Sequence, residues 1–191
     1  ESAPVVAPVD PSAGEYRAVP IAGIGTEAQL AIKFARQATL KIRGVVTFNG
    51  QVGNDWLSFV QDQSGAARIQ WKVGSLSNAL QVGDLIEMTG SPALPDSGAE
   101  FLAHGVTRVG TGEMPSPLRP RTELPKVGAS DGRWMEIEGV GRVSGAEDRL
   151  LLMSRAGPLE VYVGAASRVH LTNWVNALVR VRGVLWRQPN P

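Results

Sequence analysis

The sequence predicts an all-β fold with short helices, made of two consecutive barrel-like units of which the second is incomplete. Three observations carry this. Apolar and polar residues alternate over short runs, as in "TLKIRGVVTF" (39–48) and "RIQWKV" (68–73). Clusters of Gly, Asp, Asn and Ser punctuate those runs at short spacing. The order of runs in 39–90 also recurs in 134–186. Period-2 alternation with frequent turns is the mark of sandwiches and barrels, and self-similarity at a fixed order marks a repeated unit.

In the first copy the strands fall at 39–48, 56–61 and 67–73, then a short helical or turn segment at 75–81 and a returning strand at 84–90. In the second they fall at 134–143, 149–154 and 158–163, then a helical segment near 167–176 and a strand at 178–186. Leu40, Ile42 and Gly44 align with Met135, Ile137 and Gly139; Ile86, Met88 and Gly90 align with Val179, Val181 and Gly183. A long first strand bent at a glycine, a hairpin, a short helix and a returning strand is the order of the OB fold, a five-stranded Greek-key barrel. Gly44 and Gly139 sit where the first strand must bend. The segment 100–110 supplies a fifth strand to the first copy, whereas the second reaches Pro191 before one appears. The expected organisation is an extended Pro- and Ala-rich linker at 1–15, a first domain at 16–113, a Pro-rich connector at 114–131 and a partial second domain at 132–191.

The alternation also sets a register. In 67–73 it turns Ile69, Trp71 and Val73 inward and Arg68, Gln70 and Lys72 outward. Placing Leu57 and Phe59 in the same core puts Phe59 opposite Ile69, leaves Trp56, Ser58 and Val60 outside, and makes Gln63-Ser64-Gly65 a three-residue turn. The expected core of the first unit is then Leu40, Ile42, Leu57, Phe59, Ile69, Trp71, Ile86 and Met88, and that of the second is Met135, Ile137, Val161, Val179 and Val181.

Composition excludes several functions. Hydrophobic residues make up 43% of 191, enough for a packed core. The net charge of +1 gives no bulk attraction to nucleic acid. The absence of cysteine removes disulfides, thiolate metal sites and cysteine nucleophiles. No apolar run approaches the roughly 20 residues of a membrane span. His104 and His170 have no ligand at metal spacing, and no nucleophile elbow, phosphate loop or dinucleotide fingerprint is present. Asp62 and Asp84 sit at turns, where carboxylates cap backbone donors. The sequence therefore reads as a non-enzyme with no catalytic residues, no metal site and no cofactor.

Most charges pair across strands in this reading. Lys41 and Arg43 on the first strand face Glu87 on the fourth; the second copy reverses the signs, with Glu136 and Glu138 facing Arg180 and Arg182. Arg68 and Lys72 lack such a partner in sequence. Together with Trp56 and Gln70 they form the candidate ligand- or partner-binding surface, on the face where OB domains bind ligands.

The runs "LKIRGVVTF", "LSFVQDQSGAARIQW" and "VGDLIEMTG", followed by "RWMEIEGVGRV" and "LVRVRGVL", resemble the N-terminal tandem OB-like region of large bacterial sensor histidine kinases over residues 37–187. The resemblance implies a periplasmic or extracytoplasmic sensory input module, with membrane contact only through segments outside these 191 residues. It transfers no ligand residue, and Ala66-Ala67 departs from its Gly-Ile turn exit. The leading expectation is accordingly a ligand-binding or interaction module of a signalling protein, with an unknown small molecule or protein as partner and nucleic acid not expected. The alternative is a single-stranded nucleic-acid binder, which needs a basic groove with stacking aromatics. A structural spacer is a third.

Overall fold

A computed structural model describes residues 16–34, 38–52, 55–71, 79–93, 99–120, 122–124, 132–145, 149–163 and 171–186. The expected linker at 1–15, Lys72, most of the expected 75–81 segment and His170 lie outside them.

The first unit is entered by β1 (Arg17–Ala18), a 3-10 turn at Ile21–Gly23 and α1 (Ile24–Lys33). Then come β2 (Leu40–Val52), β3 (Asp55–Gln61), β4 (Ala66–Trp71), β5 (Asp84–Ala93) and β6 (Glu100–Thr111). The first half of β2 pairs with β5 and its second half with β3. β3 pairs with β4, β4 runs parallel to β6, and β6 returns antiparallel to β5. Each of the five strands thus has two neighbours, and the sheet closes into the OB barrel expected from the order of runs. Gly44 stands at the bend of β2, where a Cβ would lie 2.6 Å from Val60 Cγ1 and 2.9 Å from the Gln61 carbonyl oxygen. No side chain fits there without displacing the neighbouring strand.

The barrel is filled by Leu40, Ile42, Val46, Val60, Ala67, Ile69, Ile86, Met88, Phe101 and Ala103, with Trp71 packed partly against them. Ile21 and Ile24 join the same core at 0% exposure, and Ala28 is buried beside them. α1 therefore plugs the barrel, a role no expectation assigned to it. The buried apolar residues at 21 in the turn and at 24 and 28 in the helix keep the three- and four-residue spacing that lines one helical face.

The second unit is a four-stranded sheet of β7 (Trp134–Val143), β8 (Arg149–Ser154), β9 (Gly157–Tyr162) and β10 (Leu178–Val184), in the order β10-β7-β8-β9. A 3-10 turn at Leu171–Trp174 stands where the helical segment was expected. Even the entry repeats: Leu118 makes a parallel bridge to Met135, as Arg17 does to the aligned Leu40. Of the expected second core, Met135 is buried, while Ile137, Val161, Val179 and Val181 are half-buried. Leu150 and Leu152 complete the fully buried set. This is a curled half-barrel, the incomplete second unit that the sequence indicates.

The register of β3 against β4 differs from expectation by one residue. Phe59 faces Arg68, Val60 faces Ala67 and Gln61 faces Ala66. The turn is the four-residue Asp62-Gln63-Ser64-Gly65. Ser58 and Val60 point into the barrel, and Leu57 and Phe59 point out of it, although all four are buried. The reason is that this strand has apolar cover on both sides.

Candidate functional site

The turn at 62–65 is a cap. Asp62 Oδ2 accepts a hydrogen bond from the Ile21 amide at 3.0 Å, and its Oδ1 accepts from the Ser64 amide and hydroxyl and from the Gly65 amide. Ser64 Oγ in turn accepts from the Ala22 amide. The β3–β4 hairpin thus satisfies backbone donors at the start of the plug, which helical geometry alone leaves free. Burial pushes the Asp62 carboxyl up, but the donors from Ile21, Ser64 and Gly65 outweigh it and hold it below its ordinary value.

The outer face of β3 and β4 carries Leu57, Phe59, Gln61, Ala66, Arg68 and Gln70, and the second unit sits on part of it. The Trp134 amide donates to Gln61 Oε1 at 2.9 Å, and Arg133 reaches the Ser64 carbonyl. Gly132, with φ of +82°, lies so close to Phe59 that a Cβ would fall 2.9 Å from Cδ1 of its ring. Only glycine both adopts that φ readily and leaves room for the ring. Arg68 stands over the Trp186 ring, 5.9 Å from its centroid, and lies 3.6 Å from Glu100. Gln70 donates to the same carboxylate at 2.6 Å. So Arg68, which the sequence left without a partner, has an acid from β6 and an aromatic ring from the second unit.

Of the expected surface, Arg68 and Gln70 share this outer face. Trp56 belongs to the opposite one, with Ser58 and Val60, and Lys72 lies outside the described residues. Trp56 is instead linked to Trp71 through the side chains of Asn49 and Ser58. Trp56 Nε1 donates to Asn49 Oδ1 at 2.9 Å, Ser58 Oγ donates to the same oxygen, and Trp71 Nε1 donates to Ser58 Oγ at 2.7 Å. Asn49 Nδ2 donates to the Leu80 carbonyl, which fixes the amide between the two indoles. Trp56 is 44% exposed and Trp71 half-buried. The two indoles, tied by their N–H groups into the chain Trp56–Asn49–Ser58–Trp71, are the candidate aromatic shelf. The missed signal was the pairing of Trp56 with Asn49, visible only once the β2–β3 register is known.

A second concentration of charge lies on β7 and β10. Arg182 faces Glu136 and Arg180 faces Glu138 in the ladder, with closest N–O distances of 2.6 and 2.5 Å. Arg119 also reaches Glu136 at 2.8 Å. The Arg182 hydrogen bond, with Arg119 and Arg180 nearby, holds Glu136 below the usual carboxylate range. In the first unit Lys41 and Arg43 meet Glu87 at 2.6 and 3.6 Å, as expected from sequence. Among the described residues no group of three His, Cys, Asp or Glu is placed to hold a metal ion, and no helix is long and apolar enough to cross a membrane.

No protein-family model and no curated protein matches the chain. Among solved structures it is similar to a protein described as an aspartyl-tRNA synthetase from Leishmania major Friedlin, at 12% identity and a TM-score of 0.42, over 65% of this chain and 28% of that one. It is also similar to the aspartyl tRNA synthetase from Entamoeba histolytica, at 15% identity and a TM-score of 0.36, over 62% of this chain and 30% of that one. The chain therefore spans under a third of either matched structure. Both bear the name of a tRNA synthetase, against the expectation that nucleic acid is not a partner class; at this identity the likeness is one of fold alone. The physical reason lies in the site. That expectation weighed one tryptophan and two cations on a single face, whereas the fold links Trp56 to Trp71 through Asn49 and Ser58.

Proposed function

We propose that the chain is a non-catalytic recognition module on the OB fold, and that its contact surface for single-stranded nucleic acid is the Trp56–Trp71 shelf. One observation carries this: two indoles held by Asn49 and Ser58, one of them 44% exposed, beyond the end of an OB barrel. Every base has a flat face, so such a shelf stacks bases without reading sequence, and each stacked base is worth about 1–3 kcal/mol. The carboxylates that could have suggested chemistry have other work: Asp62 caps the plug, and Asp84 accepts from Arg108 and from the Gln81 amide.

Fluorescence anisotropy with labelled single-stranded DNA and RNA, across a salt series, tests this. The expected result is micromolar binding with a shallow salt slope, because few cations border the shelf and each phosphate neutralised adds only about 0.7 to that slope. Trp56→Ala should weaken binding by about fivefold or more while leaving the fold intact. Absence of binding at about 100 µM, the weak end of non-specific affinities, removes the proposal.

The resemblance at 37–187 supports a second reading, an extracytoplasmic module that serves as the sensory input of a histidine kinase. Its motifs lie on β2, β3, β4, β5, β7 and β10. A membrane span and kinase motifs further along the same gene would favour it; their absence from the full gene would end it.

A further inference from the structure

We propose that the second unit is a lid on the first: it occupies the outer face of β3 and β4, and when it lifts, that face takes a stretch of single-stranded nucleic acid. The ligand class rests on the reading above, but the site is a different one, on the other face of β3 from Trp56. Phe59 opposes Arg68 and Gln61 opposes Ala66 in the ladder, so a ring, a guanidinium and an amide lie side by side. The second and third strands of an OB barrel, here β3 and β4, are where such barrels take oligonucleotides. In this chain that place is filled: Phe59 is 3% and Gln61 5% exposed.

The second unit meets each of these groups as a nucleotide would. The Trp186 ring lies under the Arg68 guanidinium, 5.9 Å from centroid to cation, where a base would offer its own flat face. The Trp134 amide donates to Gln61 Oε1 at 2.9 Å, in the place of a base N–H. Gly132 brings backbone without a side chain to the Phe59 ring, where a base would stack. Each contact is one that a bound strand can replace in kind.

The closure is poised and not locked. Arg133 reaches the Ser64 carbonyl only at 3.4 Å, long for a hydrogen bond. Among the described residues Arg133 Nε and Trp186 Nε1 have no hydrogen-bond partner, although both are buried. Both regain water when the unit lifts, so their desolvation opposes closure. Cover of the Phe59 ring and the Arg68–Trp186 contact favour it, and a bound base supplies both. Glu100, 3.6 Å from Arg68 and bonded by Gln70, offsets the charge of the guanidinium. Arg68 therefore offers a flat cation to a base more than a free charge to a phosphate, and binding at the opened face depends little on salt.

Two variants lift the unit independently: Gly132→Ala, whose methyl meets the Phe59 ring, and Trp186→Ala, which uncovers Arg68. Each is made in the full Trp56→Ala chain, so that the shelf is silent. Hydrogen exchange of the Trp134 amide, followed by NMR, reads opening directly and should be about tenfold faster or more. Labelled oligothymidylate, followed by anisotropy, should bind the opened chains about fivefold or more tighter than Trp56→Ala alone. Arg68→Ala added to either should remove that gain. Faster exchange without tighter binding, tighter binding that survives Arg68→Ala, or unchanged exchange in both variants each overturns the proposal. Binding lost in Trp56→Ala and not regained on opening sustains the shelf and overturns the lid; binding by the opened chains with none by the parent does the reverse.

Discussion

The two units share a strand order, a parallel lead-in bridge and oppositely charged pairs between their first and fourth strands, yet one is closed and the other open. Aligned residues measure the difference. Ile42, Ile86 and Met88 are at most 1% exposed, while Ile137, Val179 and Val181 are half-buried. The side chains are of the same kind, so apolar content does not separate the units. The difference is in two added pieces, the plug with Ile21, Ile24 and Ala28, and the strand β6 with Phe101 and Ala103. A curled OB sheet sets the shape of a core, and those pieces fill it.

If that is right, removing either piece should turn the first unit toward the second. The largest effect is expected for Phe101→Ala, at about 3–5 kcal/mol in denaturant unfolding, since the ring is fully buried between two strands and the plug. Ile24→Ala should cost about 2–4 kcal/mol, and Val161→Ala in the half-exposed counterpart sheet no more than about 1 kcal/mol. Equal costs at Ile24 and Val161 would break the comparison.

A backbone test comes next. Gly90→Ala drives a methyl into the backbone of β6 and should cost about 1–3 kcal/mol. Gly183→Ala, at the aligned site with open space, should change stability by less than about 0.5 kcal/mol. A matched pair of unfolding curves is sufficient, and a large loss at Gly183 would show that the edge of β10 is already occupied.

These contrasts also show how much of the molecule was legible in its sequence. Strand order, the glycine bend, the fifth strand and the cross-strand charges all follow from local pattern, and all appear in the fold. The β3–β4 register does not, because alternation fixes a strand only when one face is wet. Leu57, Ser58, Phe59 and Val60 are all buried, two against the barrel and two on its outer face, where Gly132 closes over the Phe59 ring. That cover comes from residues some seventy positions away, beyond any local pattern. The partners of Arg68 were hidden likewise, since Glu100 and Trp186 lie on β6 and in the second unit. The plug was different: its 21, 24, 28 spacing stands in the sequence between β1 and β2, where a period of two does not reveal it.

Asp62 links the β3–β4 hairpin to the plug; the matching turn of the β8–β9 hairpin carries Arg155 and Ala156, and among the described residues no helix plugs the second sheet. Asp62→Ala should cost about 1–2 kcal/mol, the range for a lost helix cap. Its acidity gives a sign. The folded carboxyl is held below its ordinary value, so its contribution is complete above about pH 5 and is lost as pH falls through the lowered folded value. Unfolding free energies of the parent and Asp62→Ala chains should therefore converge between about pH 5 and pH 2. A gap that stays constant over that window would mean that Asp62 acts through packing and not as an ionised cap.

The smallest effect concerns what the two units have in common. Lys41–Glu87 and Arg180–Glu138 both join the first strand to the fourth with the signs reversed, the former diagonally and the latter directly across the ladder. Reversal is what a purely mutual role permits: if either charge were needed for itself, the copies would have to agree in sign. Lys41 is 43% exposed and Glu87 27%, so water screens the attraction and the pair is worth no more than about 1 kcal/mol. Lys41→Glu and Glu87→Lys should each destabilise slightly, and the double exchange should restore most of the loss. In the second unit the ladder pairs Glu138 with Arg180, so exchange at those positions is the second cycle and exchange of Glu138 with Arg182 is its control. Both cycles should fade at high salt, because exposed charges are screened within about 10 Å at 0.1 M. A coupling that survives salt in one unit and not in the other would show that the symmetry of the repeat stops at its backbone.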